Sequence, residues 1–203
     1  YLYIFFIYLL LNELMKNKIY QNLVKKNILT HLSILQSEQN NIVKISNMFA
    51  KTLIDKIKKG GKILIAGNGG SAADAQHFAT ELIVRLKKNR KSIPALALTT
   101  DTSALTAIGN DFSFDKIFSR QLEGIANKKD IFIGISTSGN SKNIIEAFKF
   151  CKKNKIYSLG ILGNSGGKSK KYLNSHYSVN FNDASRVQEI HIIFWQNICE
   201  IIE

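Results

Sequence analysis

Proline is almost missing from this chain: its 203 residues include one, Pro94, beside two cysteines, two methionines and one tryptophan. Lysine, asparagine and isoleucine are abundant instead, a compositional bias that points to no partner. The two cysteines, Cys151 and Cys199, fall in helical-looking segments with no second cysteine or histidine at ligand spacing. That excludes a disulfide framework and a zinc knuckle, and a reducing, cytoplasmic location fits. Long hydrophobic runs are lacking too. The run Tyr1 to Leu11 is too short to cross a bilayer, and it has no basic leading region or small-residue cleavage site. Because Met15-Lys16-Asn17-Lys18 reads like an ordinary soluble start, residues 1–14 are expected to be an upstream extension, with a membrane anchor as the alternative.

Negative charge is scarce as well, with 15 Asp and Glu against 28 Lys and Arg and a formal net charge of +13. Such a balance suits nucleic acid, anionic membrane or anionic small molecules. The lysines, however, are scattered as pairs such as Lys25-Lys26, Lys87-Lys88, Lys128-Lys129, Lys152-Lys153 and Lys170-Lys171, with no aromatic interleaving and no sustained stripe. They read as a solvated surface, so neither a nucleic-acid partner nor a membrane is expected.

What is present is an alternating pattern. With 45% hydrophobic residues, the chain is long enough for one α/β domain, expected over residues 15–203. Residues 16–59 carry apolar positions at helical spacing and stop at Gly60-Gly61, which predicts two helices before the first strand. Short runs rich in Ile, Val and Leu follow, each ending in a turn and a helical stretch: Lys62–Ala66, Ala95–Leu98, Ile131–Ile135, Tyr157–Leu162 and, less clearly, Tyr177–Phe181. Continuous apolar strands alternating with helices predict an open, doubly wound parallel sheet of about five strands, buried on both faces. Ligands of such sheets bind beyond the carboxyl ends of the strands.

Two of those ends stand out. Gly67-Asn68-Gly69-Gly70-Ser71 follows the first strand and opens a helix whose apolar positions run from Ala75 to Leu86. Its glycines admit a ligand close to the backbone, and a helix N-terminus favours an anion or polar oxygen. It is not a dinucleotide loop, since no strand-end acid follows about 20 residues on, and not a Walker loop, since no Gly-Lys-Ser/Thr follows. Ser136-Thr137-Ser138-Gly139-Asn140-Ser141 follows the third strand. Four hydroxyls with free N–H groups at a helix start suit a phosphate dianion, whereas an ordinary N-cap needs one. On the helix after the first turn, His77 and Glu81 are four apart and share a face, so they can hold a divalent metal or act as base and orienter. The last helix interrupts an apolar stretch with Gln188, Glu189, His191 and Gln196, which need partners.

From about Met15 onward these segments resemble the sugar-isomerase (SIS) domain proteins, specifically the bacterial phosphoheptose isomerases. The similarity rests on Gly67–Ala79, on Leu98–Ser103 with Ala107–Asp111, on Gly134–Ser141 and on Arg186–His191. The resemblance implies conversion of sedoheptulose 7-phosphate to glycero-manno-heptose 7-phosphate, a precursor of the lipopolysaccharide core, by a homotetramer with one zinc per subunit. It implies phosphate on Ser136, Thr137, Ser138 and Ser141, and sugar on Asn68, Gly69, Gly70, Ser71, Asn110 and Asp111. His77, Glu81 and Gln188 would ligate the metal, with Glu81 moving the proton between C1 and C2. The family carries a histidine eight residues after the glutamine matching Gln188, and Gln196 stands there instead. An amide oxygen can touch a metal, but it cannot exchange a proton near neutral pH, which leaves Glu81 as the acid/base. Two alternatives stay open: an isomerase of another phosphosugar, and a non-catalytic SIS tetramer that binds the replication initiator.

Overall fold

In the computed structural model the backbone is described from residue 2 to 203 and the side chains from residue 15. The expected extension at residues 1–14 therefore lies outside the residues whose side chains are described. The chain divides into two compact units, residues 1–38 and 39–203. The first is helical, and from Met15 to Leu32 its apolar side chains, among them Ile19, Leu23, Ile28 and Leu32, are exposed.

One helix, not two, precedes the first strand: α1 runs from Leu2 to Lys58. The polar stretch Gln36–Asn41 contains no glycine or proline and so nothing that ends a helix. The real stop is Gly60, whose φ of 78° suits a glycine, with Gly60 N–H donating to Ile57 O and Gly61 N–H to Lys56 O.

The second unit holds a five-stranded, wholly parallel sheet. Its strands are β1 (Ile63–Ala66), β2 (Ala95–Ala97), β3 (Ile131–Ser136), β4 (Tyr157–Gly163) and β5 (Ser175–Val179), in the order β2-β1-β3-β4-β5. Between them lie α2 (Gly70–Ile83), α3 (Thr102–Asp111), α4 (Ile117–Ile125) and α5 (Lys142–Asn154), and α6 (Ala184–Ile202) follows β5. The fifth strand begins at Ser175, upstream of the expected Tyr177, because His176 and Ser178 alternate with buried Tyr177 and Val179. Every residue of β1 and β3 is buried, as strands covered on both faces must be.

The chain leaves β1 toward β2 on one side, then returns to place β3 on the other. The carboxyl ends of β1 and β3 thus flank the point where strand order reverses, where open α/β sheets form a crevice. At the opposite edge, buried Asp130 accepts from Lys62 N–H (2.9 Å) and Asn127 N–H (2.8 Å) and pairs with Lys62 Nζ (2.6 Å), joining the starts of the two strands.

α6 packs through Phe194, which stacks on Tyr177 of β5 (4.2 Å between ring centroids) and meets Phe49 of α1 edge-on (5.4 Å). Burial pushes the Cys151 thiol up to about 12 and raises Cys199 still further, so both behave as inert core groups. Among the described residues, no helix is long and apolar enough to cross a membrane.

Candidate functional site

The turn after β1 bends through Gly69, at φ 54°, straight into α2. No side chain caps this helix, and the N–H groups of Ser71 and Ala72 donate back to Asn68 O and Gly69 O, both at 3.0 Å. The turn after β3 behaves alike. Ser141 occupies the N-cap position of α5, yet its hydroxyl makes no cap bond and instead faces the Ser136 hydroxyl at 3.0 Å. The ordinary N-cap explanation for these hydroxyls therefore fails. Ser138 Oγ accepts from Asn140 N–H (3.1 Å), and Thr137 and Ser141 are half-buried at the mouth of the turn.

A reciprocal amide pair locks the two turns together. Asn68 Nδ2 donates to Asn143 Oδ1 and Asn143 Nδ2 donates back to Asn68 Oδ1, both at 2.9 Å. Asn143 Oδ1 also accepts the Ile144 N–H at 2.9 Å, which fixes its rotamer. Asn68, expected to touch sugar, thus spends its side chain on holding the glycine turn against the serine turn. Asn143 was not expected, although a buried asparagine inside a helix is a poor helix former and was the available signal. A third segment backs the serine turn: a methyl on Gly163 would fall 2.1 Å from Thr137 O, and Ser169 Oγ donates to Gly139 O at 2.8 Å.

α2 and α6 run side by side in the same direction. Near their starts, a methyl on Gly70 would fall 2.0 Å from Gln188 Nε2, so Gln188 lies over the glycine turn. Two turns on, Trp195 meets His77 edge-on (4.8 Å) and stacks on Phe78 (5.4 Å). His77 Nε2 lies 2.9 Å from Glu81 Oε1, confirming that the two share a face. The seven residue steps from Gly70 to His77 span about 10 Å of helix, so the chain unites His77 with Glu81 but keeps Gln188 at the level of the glycine turn.

Asn110 and Asp111 lie at the exposed far end of α3, where Asn110 Nδ2 donates to Asp111 Oδ1 at 2.8 Å. Among the described residues, no side-chain hydrogen bond links them to either turn. His191 is buried and donates from Nε2 to Leu162 O (2.9 Å). Burial holds its pKa down at about 4, so it is a neutral core residue and no acid/base.

Among the described residues, no three His, Cys, Asp or Glu side chains gather as a metal site. A metal held here would need amide donors beside them. His77 and Glu81 are close enough for one ion to touch both, and Gln196, half-buried, follows Trp195 on the facing turn of α6. Imidazole and carboxylate are zinc donors, and an amide oxygen is a harder donor that can complete such a set.

Asp74, one turn before His77, is 7% exposed and its Oδ2 has no hydrogen-bond partner. Burial raises its pKa from 3.8 to about 6, against the nearby His77. The folded state then holds this proton more tightly than the unfolded chain does. The group favours folding below about pH 4, loses that contribution as the pH rises to about 6, and above that is a buried carboxylate opposing the fold. Asp74→Asn is expected to raise the thermal midpoint at pH 8 and leave it unchanged at pH 3.5. An equal shift at both values would contradict this.

A cavity of about 900 Å³ lies elsewhere, between α4 and α5. Several of its ions are paired with one another, Glu146 taking Lys116 (2.7 Å) and Lys149 (2.8 Å) and Glu123 taking Arg120. The linked turns and the His77–Glu81 pair are the better site.

A SIS-domain family model matches residues 25–163. Phosphoheptose isomerase 1 of Campylobacter jejuni is 49% identical over 185 residues, covering 90% of this chain and 97% of that protein. The phosphoheptose isomerase of Helicobacter pylori strain P12 is 43% identical over 182 residues, covering 90% and 95%. Phosphoheptose isomerase GmhA from Neisseria gonorrhoeae superposes with a TM-score of 0.85 at 38% identity, over 90% of this chain and 97% of its own. A phosphoheptose isomerase from Francisella tularensis gives a TM-score of 0.85 at 30% identity, over 88% and 95%. Two uncapped turns locked across the switch point, a His-Glu pair on the helix leaving one of them, and near full-length likeness on both counts place this chain in the SIS-domain family, among the phosphoheptose isomerases.

Proposed function

We propose that the protein interconverts sedoheptulose 7-phosphate and D-glycero-D-manno-heptose 7-phosphate in the cytoplasm, as a homotetramer with zinc. The observation that carries this reading is the Asn68–Asn143 pair, which presents a phosphate cradle and a glycine turn as one surface. Ser136, Thr137, Ser138 and Ser141, with the free N–H groups of α5, take the phosphate dianion. Gly69, Gly70 and Ser71 leave room for the sugar chain, and Gln188 reaches over them. Asn110 and Asp111, remote within one protomer, serve sugar in the assembled tetramer, where the exposed apolar residues of α1 and the end of α3 find their cover.

Ketose-aldose interchange moves one proton between adjacent carbons and develops negative charge on oxygen. Glu81 takes the proton from one carbon and returns it to the next, while His77, 2.9 Å away, orients the carboxylate. Zinc on His77, Glu81 and Gln196, with the Gln188 of a neighbouring copy in the tetramer completing the set, would supply Lewis acidity for the developing oxyanion. The near full-length isomerase relatives disfavour a non-catalytic, initiator-binding tetramer.

The test is incubation of sedoheptulose 7-phosphate with purified, metal-analysed protein, separation of the isomers by chromatography, and comparison with Gln196→His. Heptose phosphate from the wild type is the expected result, with a faster variant, because an imidazole restores a proton-exchanging group at that position. Activity in the variant alone would mark the natural chain as a scaffold that has lost its chemistry.

A further inference from the structure

Helix α2 ends without the usual device. No glycine occurs from Ile83 to Pro94, and the C-cap, Val84, sits at φ −88°, ψ −83°. The final carbonyls of the helix, which lack intrahelical partners, are taken by a side chain from farther along. Arg90 Nη2 donates to Glu81 O at 2.7 Å, and Nη1 donates to Leu82 O at 2.8 Å and to Lys91 O at 3.1 Å. A planar, fixed-charge fork at a helix C-terminus also suits the negative end of the helix dipole.

The fork is itself held. Glu203, at the end of α6, accepts the backbone N–H groups of Leu86 (2.6 Å), Lys87 (2.8 Å) and Lys88 (3.0 Å), and its Oε1 lies 3.4 Å from Arg90 Nε. Its side chain is 1% exposed and that of Arg90 15%. Cys199, one turn earlier on α6, feels the charges of Glu81, Arg90 and Glu203 together, so all of them converge where α2 and α6 finish. Both helices carry site residues: Glu81 lies two residues before the end of α2, and Gln196 two turns before Glu203 on α6.

We propose that Arg90, anchored by Glu203, is a positioning residue for Glu81: by holding the Glu81 carbonyl it sets the height and rotation of the last turn of α2 against α6, and so the placement of the proton-carrying carboxylate. This rests on the assignment of Glu81 as the acid/base. The phosphate cradle lies at the other end of these helices, so the device acts on turnover and spares substrate capture. Lysine at position 90 keeps the charge but cannot span both carbonyls, and glutamine at position 203 loses one of the acceptors.

The experiment measures isomerisation by the full chain, its Arg90→Lys and Glu203→Gln variants, and Arg90→Ala with and without guanidinium ion. In each substituted protein kcat is expected to fall roughly ten- to a hundredfold with KM within twofold of wild type. Guanidinium at millimolar concentrations restores kcat in Arg90→Ala, and ammonium does not. Unchanged kcat, or kcat falling while KM rises in step, or absence of rescue, would overturn the proposal. An inactive wild type would overturn the assignment of Glu81 and this positioning role with it; an active wild type beside fully active variants would overturn the positioning role alone.

Discussion

Replacing Glu81 by Gln is expected to lower isomerisation at least a hundredfold while leaving phosphosugar binding and assembly intact. Glutamine keeps the length and shape of the side chain and can still bond His77, which lies 2.9 Å from the carboxylate. It cannot accept and return a proton, and a positioned acid/base is worth roughly 10² to 10⁴ in rate. The loss should appear in kcat, because the phosphate cradle belongs to a different strand end. Isothermal titration of sedoheptulose 7-phosphate into the variant, beside product chromatography, separates binding from turnover. Retained turnover would remove Glu81 from the mechanism.

The second large effect is expected at Gly163, a position without chemistry of its own. Its φ of −113° is open to any residue, so space alone makes glycine necessary. A methyl there would lie 2.1 Å from Thr137 O and 2.8 Å from Val187 Cγ1. A backbone oxygen cannot swing aside as a side-chain tip does, so the serine turn itself must move. Gly163→Ala is therefore expected to cost about 1–3 kcal/mol of stability by overpacking and to raise KM for the phosphosugar several-fold. Denaturant unfolding and steady-state kinetics measure the two parts. Gly109→Ala is the control: no atom lies within 4 Å of the added methyl, so a helix interior simply gains a better helix former. A Gly163→Ala protein with unaltered KM would mean that the serine turn does not hold the phosphate.

The strands and both turns were legible because their signals are local. Ile131–Ile135 is continuous and apolar, and the Ser136–Ser141 run is dense in hydroxyls. Two helices were expected where α1 is one, since the apolar spacing lapses over Gln36–Asn41 while no residue there is a helix breaker. The pairing of Asn68 with the serine turn was not legible for a different reason. Its partner, Asn143, lies 75 residues away, and only the β1–β3 pairing brings them together. Likewise the Gly163 contact with Thr137 depends on β3 and β4 lying in register. Such contacts belong to the topology, which a one-dimensional pattern implies as a class but does not specify atom by atom. The grouping of His77 with Glu81 was legible because helix geometry alone decides it.

Trp195 is the chain's single tryptophan, buried, with the His77 ring edge-on at 4.8 Å. Its near-ultraviolet emission therefore comes from one place, beside a side chain assigned to the chemistry. A protonated imidazole in contact with an indole quenches its emission by electron transfer, so anything that protonates, ligates or displaces His77 alters how brightly the protein glows. The molecule carries its own optical gauge of site occupancy, and no dye or label need be attached.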